Sequence, residues 1–174
     1  MFTKFSLSLV ILCATAIFGL APTVALAASA KDTGSMEGEV AKRDAEPVPD
    51  QEGHLLVLTQ GRGTATNPGG PIDGYSFTTH EVLDLRQGSG SQRGYVIFSK
   101  GSNQRVVAIE GAVTTTMKNG QPNTSLKDDW TIVSGQGALA AEKGNGTYSG
   151  YFTSQDNFHV DWTGELNSKE ASAD

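Results

Sequence analysis

The sequence predicts an all-β protein, an antiparallel eight-stranded β-barrel behind a disordered N-terminal leader, and three observations point there. Of 174 residues, 21 are glycine and 18% are charged, against a usual ~7% glycine and ~25% charge. Period-2 stretches rich in Val, Ile, Thr, Tyr and Phe alternate with glycine-bearing turns, and no long stretch carries a helical period. Eight strands of about ten residues with turns of about four fill roughly 108 residues, close to the span from His54 to Leu166. Closing the sheet also removes the free edges that an antiparallel protein must otherwise protect. An open sandwich is the alternative, because alternation does not reveal strand order.

Residues 1–27 read as a signal peptide. Lys4 is followed by an apolar run from Leu7 to Leu20 and then by Ala25-Leu26-Ala27, the order of a cleaved export signal. Ser8, Thr15, Gly19 and Pro22 interrupt the run and no cationic flank follows, which argues against a membrane anchor. The expected location is secreted or periplasmic. The single cysteine, Cys13, lies inside the signal, so the mature chain is expected to hold together by its core without disulfides. The net charge of −6 supplies no basic field for phosphates, and nucleic acid is not an expected partner.

Residues 28–53 are small, polar and charged, with Pro47 and Pro49 and no aromatic side chain, and read as a flexible linker. Lys42-Arg43 within it would be a dibasic processing site in a fungal host, where Asn123-Thr124-Ser125 and Asn145-Gly146-Thr147 would be glycosylation sequons. The competing reading is chance occurrence in a polar linker and in turns. The barrel domain is expected over 54–166, with a polar tail at 167–174. Seven strands are plain: His54–Thr66, Ile72–Arg86, Arg93–Ser99, Arg105–Thr116, Leu126–Ser134, Thr147–Thr153 and Phe158–Leu166. The eighth is expected at Ala138–Glu142.

The faces of these strands nominate the site. In the last strand Phe158, Val160, Trp162 and Leu166 share one side and His159, Asp161, Thr163 and Glu165 the other. In the second, Tyr75, Phe77, Leu83 and Leu85 share a face with Thr79 and Glu81. Glu81 is thus a carboxylate among aromatic and leucine side chains. On an interior face it would be desolvated and its pKa raised, which suits a general acid or an anchor for a ligand. It is the candidate catalytic residue, with Tyr75, Phe77 and Trp162 as candidate ligand-binding residues. Glu110 poses the same question on a strand either of whose faces fits the interior. His159 with Asp161 or Glu165 lacks a third ligand at recognisable spacing, so no metal is expected. Asp128-Asp129 reads as a strand start at a turn. No G-x-S-x-G motif is present, and Gly135-x-Gly137 lacks the strand-to-helix setting of a dinucleotide site. No cofactor is expected.

The stretch from Trp130 through Gly135-Gln-Gly137 and Gly144-Asn-Gly146 to Thr147-Tyr148 resembles the glycine-rich strand and loop of the allene oxide cyclase and dirigent barrel superfamily, especially its small uncharacterised bacterial members. Gly61-x-Gly63-Thr64, Gly94-Tyr95, Glu110-Gly111 and the ending Phe158–Leu166 agree with the same order. The resemblance implies an eight-stranded barrel with an apolar cavity, often assembled as homotrimers, whose members cyclise a fatty-acid epoxide or steer phenoxy-radical coupling. Ser134-Gly135-Gln136-Gly137 departs from the usual Gly-Gly-Thr-Gly, and no family acid maps onto a residue here. The expected function is a secreted barrel that binds an apolar or aromatic small molecule, acting as a cyclase, an isomerase or a dirigent-like guide. The competing expectation is a non-catalytic barrel, filled by its own side chains and acting through its surface. A lipocalin-like carrier would share the hollow interior but not the glycine loop.

Overall fold

A computed structural model describes residues 29–168. The expected signal peptide at 1–27 and the end of the expected tail, from residue 169 onward, lie outside the described residues. Eight strands follow one another: β1 Ser29–Pro47, β2 His54–Thr66, β3 Ser76–Arg86, β4 Ser89–Lys100, β5 Asn103–Lys118, β6 Gln121–Gln136, β7 Glu142–Phe152 and β8 Asn157–Ser168. Each pairs antiparallel with its sequence neighbour, and β8 returns to β1, so the sheet is a closed up-and-down barrel.

The flexible linker expected at 28–53 is corrected: most of it is β1, paired with β2 from Ser35 to Pro47 and with β8 from Ser29 to Glu39. The barrel therefore begins at Ser29 rather than His54, and ends at Ser168 rather than Leu166. Lys42-Arg43, the candidate dibasic site, lies inside this strand. The eighth strand is β1, whereas the stretch expected to supply it, Ala138–Glu142, runs from within a single 3-10 turn, Gly137–Leu139, to the first residue of β7. The physical reason lies in the partners. The inward positions of β1 are Asp32, Gly34, Met36, Gly38 and Val40, and the glycines leave room for aromatic rings projected by other strands. A Cβ at Gly34 would fall 2.3 Å from the Trp162 ring, and one at Gly38 would fall 2.6 Å from the Phe158 ring. The apolar surface that β1 covers belongs to its neighbours, so its own composition reads as polar.

Of the two-residue hairpin turns, Gln87-Gly88 and Asn119-Gly120 have positive φ at both residues. That is the type I′ geometry whose twist matches the flanking strands. With Gln87-Gly88 at the tip, β4 begins at Ser89, earlier than the alternation indicates.

The two ends of the barrel differ. One is filled: Phe77 packs on Phe98 and on Phe158 with ring centroids 6.2 Å apart in each case, and Phe98 packs on Trp162 at 6.3 Å. Beyond the aromatic layer Arg105 bonds Asp32 at 3.2 Å and Glu142 at 2.9 Å, with Arg105 and Asp32 each only 2% exposed. Asn67 holds Asp32 from the other side at 2.9 Å. Satisfied on each side, this charged cluster seals the end. The void left there is about 30 Å³, about the space of one water. The other end, where the β1–β2, β3–β4, β5–β6 and β7–β8 turns lie, is hollow.

Candidate functional site

A cavity of about 800 Å³ opens at that end and runs inward to the aromatic layer. Val57, Leu83, Leu85, Val96 and Leu126 supply apolar wall, each at the inward phase of its strand. The volume lies in the range of pockets that enclose one drug-sized molecule. Arg43 stands at the mouth beside the β7–β8 turn, bonded to the Asp156 carboxylate and the Gln155 carbonyl at 3.4 and 3.5 Å. It is placed there by a β-bulge between Val40 and Lys42, which reverses the facing of the end of β1.

Glu81 projects into this cavity from β3, between Thr79 and Leu83 on the interior phase. Thr59 on β2 donates to its Oε2 at 3.4 Å. Thr79 accepts the Gly61 amide proton at 3.0 Å, and its own hydroxyl proton is turned to Glu81. Burial among apolar side chains raises the Glu81 pKa to about 7, with the nearby Asp128 charge adding to the rise and the two threonines opposing it. A carboxyl at this value gives and takes a proton with equal ease near neutral pH.

Starting on the strand next to that of Glu81, a polar strip crosses β4 to β7. Gln92 on β4 is in register with Gly111 on β5, Gly111 with Asp128 on β6, and Asp128 with Tyr148 on β7. Gly111 has no side chain, and a Cβ there would stand 2.1 Å from Asp128 Oδ1. Its absence lets Gln92 reach across β5 and donate from Nε2 to Asp128 Oδ2 at 3.2 Å and to the Tyr148 hydroxyl at 2.8 Å. Burial raises the Asp128 pKa to about 6, against the hydrogen bond from Tyr148 that lowers it. Burial, together with the charges of Asp128 and Glu81, holds the Tyr148 phenol well above its usual range, so it stays neutral. Gln92 Oε1 and Asp128 Oδ1 are buried without a hydrogen-bond partner.

Of the residues expected from sequence, the structure brings only Glu81 to the cavity. Phe77 and Trp162 face inward but belong to the aromatic layer beneath it. Tyr75 is buried beyond the first residue of β3, with Lys100 5.5 Å over its ring. All three are buried, but alternation does not say at what height in the barrel a side chain lies. Glu110 is exposed on the outer face. His159 is on the outer face too, bonded to Glu37 and, at 3.2 Å, to Asp161, and among the described residues no three His, Cys, Asp or Glu side chains converge as a metal site. Asp128, Gln92 and Tyr148 were not found from sequence. The available signal was Asp128 at the same phase as Leu126, Trp130 and Ile132, the pattern that singled out Glu81.

No protein-family model matches the chain, and no curated protein matches it. Among solved structures it is similar to two pterocarpan synthase dirigent proteins. PsPTS1 is 12% identical with a TM-score of 0.46, over 82% of this chain and 97% of that one. GePTS1 is 15% identical, also with a TM-score of 0.46, over 90% of this chain and 100% of that one. At these identities the likeness says nothing of which groups act here, and the cavity itself has to carry the chemistry.

Proposed function

We propose that this chain is an exported barrel that takes one apolar or aromatic small molecule into its open end and isomerises or cyclises it by proton transfer at Glu81. The observation that carries the reading is a single carboxyl, with a pKa near 7, on the wall of an otherwise mainly apolar cavity of about 800 Å³. Such a group gives a proton to one atom of a bound molecule and takes one from another, in the order set by its own charge once the molecule is seated. The product is an isomer, and the carboxyl ends as it began. The apolar walls fix the reacting conformation and exclude water, while Thr59 and Thr79 hold the carboxylate between the two transfers. Export rests on the order of residues 1–27.

The test is native mass spectrometry of the protein from its native secretion fraction, before and after organic extraction. A stoichiometric small molecule released by solvent is the expected result and identifies the compound to assay. Glu81→Gln should then fail to convert that compound even at saturating concentration. A protein that is empty as isolated would shift the reading to the surface-acting barrel, and a Glu81→Gln variant with unchanged binding and turnover would remove the carboxyl from the mechanism.

A further inference from the structure

The interior is unbalanced in its hydrogen-bonding groups. Glu81 presents a carboxylate held only by two neutral hydroxyls, those of Thr59 and Thr79, and by no cation. Gln92, 2% exposed and lining the cavity, has an Oε1 without a partner. The orientation of its amide is fixed, because exchanging N and O would set the oxygen against the Asp128 carboxylate. Asp128 Oδ1, on the same strip, is likewise unpaired. The unpartnered indole Nε1–H of Trp130 belongs to the small void at the sealed end, not to this cavity. Among the described residues that line the cavity, the only Lys or Arg is Arg43, at the mouth and already bonded to Asp156. Buried acceptors without donors are costly, and buried carboxylates without a cation more so. A molecule that seats well must bring the missing donors and the missing charge.

Resting on the cavity reading above, we propose that the ligand class is an apolar body bearing a protonated amine, with the ammonium seated between Glu81 and the Gln92 carbonyl oxygen. The titratable groups that face Glu81 across the barrel are Asp128 and Tyr148, and neither brings positive charge. An anionic amphiphile would place its carboxylate against those oxygens, and a neutral alcohol would supply one donor and no charge. Seating an ammonium draws the proton from Glu81, so binding at pH 6 releases a proton to solution and binding at pH 8.5 does not.

Three probes of one chain length separate the possibilities: decylamine, decanol and decanoate, titrated calorimetrically into the protein at pH 6 and 8.5 in two buffers of different ionisation enthalpy. Decylamine is expected to bind at least about tenfold more tightly than decanol and about a hundredfold more tightly than decanoate, with buffer-dependent heat at pH 6 only. In Glu81→Gln the amine should fall to the affinity of the alcohol while decanol keeps its own, which also shows that the variant is folded and the cavity intact. Decanol or decanoate binding as tightly as the amine, or an amine preference that survives Glu81→Gln, overturns the ligand class and leaves the cavity reading standing. Failure of all three probes to bind overturns both.

Discussion

Glu81 shows how one residue ties stability to the site. An acid whose folded pKa lies above its unfolded value holds its proton more tightly in the folded state. It therefore favours folding fully below the unfolded value of 4.5, and that contribution is lost as pH rises through about 7. The difference corresponds to about 3 kcal/mol. Asp128 acts in the same direction between 3.8 and about 6. Urea midpoints should fall from pH 5 to pH 8, and Glu81→Gln should flatten that fall and stand above the parent at pH 8. A variant whose midpoint tracked the parent at every pH would mean that Glu81 is solvated. Glu81 was legible because its surroundings, Thr79 and Leu83 on the same phase of one strand, are local. The Gln92 strip was not, because its partners Asp128 and Tyr148 lie 36 and 56 residues away and meet only through the register of three ladders. Read alone, Asp128-Asp129 looks like the polar start of a strand. Only with Gly111 alongside does one aspartate become an interior acid.

At the scale of elements, β1 and its turn carry most of what sequence did not show. Alternation finds strands that bring their own apolar face, as β3 and β8 do, and passes over one whose inward glycines accept rings from elsewhere. The turn into β2 is held by His54, buried to 6% exposure, with Nδ1 against Asp50 and Nε2 2.9 Å from Asp84. A ring that donates to carboxylates from both nitrogens is an imidazolium, and the hydrogen bond to Asp50 leads in raising its pKa above 6.5, with Asp84 adding to the rise and burial and Arg86 opposing it. The clasp is thus complete below pH 6.5 and is lost as pH rises through the raised value. Val48 N–H, bonded to the His54 carbonyl at 3.0 Å, reports on it. Its hydrogen exchange, corrected for intrinsic rate, should speed up above neutral pH in the parent and be fast at all pH values in His54→Gln. Equal protection in the two proteins at pH 5.5 would show that the ladder alone holds this turn. Because the turn borders the open end, its loosening would widen the mouth and leave the aromatic layer in place.

For the whole molecule, the decisive fact is closure. Chain order equals spatial order around the barrel, so each of the first seven ladders is a local hairpin and only β8 to β1 joins residues far apart in sequence. That one ladder converts a meander into a barrel, and it is the one the alternation could not supply, since it depends on the polar-looking β1. A chain starting at His54, the boundary that composition suggests, would keep seven strands and every large aromatic side chain of the described residues. It would lose Asp32, leaving Arg105 with Glu142 alone, and would uncover the Trp162 and Phe158 rings that lie over Gly34 and Gly38. It would also present β2 and β8 as free edges, with Leu56 and Leu58 already exposed on the outside of β2. Such a chain should fail to unfold cooperatively and should associate, seen as loss of the near-ultraviolet signal of Trp130 and Trp162 and as high-mass species on gel filtration. Adding back a synthetic peptide of residues 29–47 should restore both properties at stoichiometric ratio, because the ladder hydrogen bonds and the glycine seats for the rings are all carried by that segment. A monomeric, cooperatively folding fragment from His54 would instead show that β1 is an attachment to an open seven-stranded sheet. The cavity, whose wall includes Met36 and Val40, would then have to be formed without its first strand.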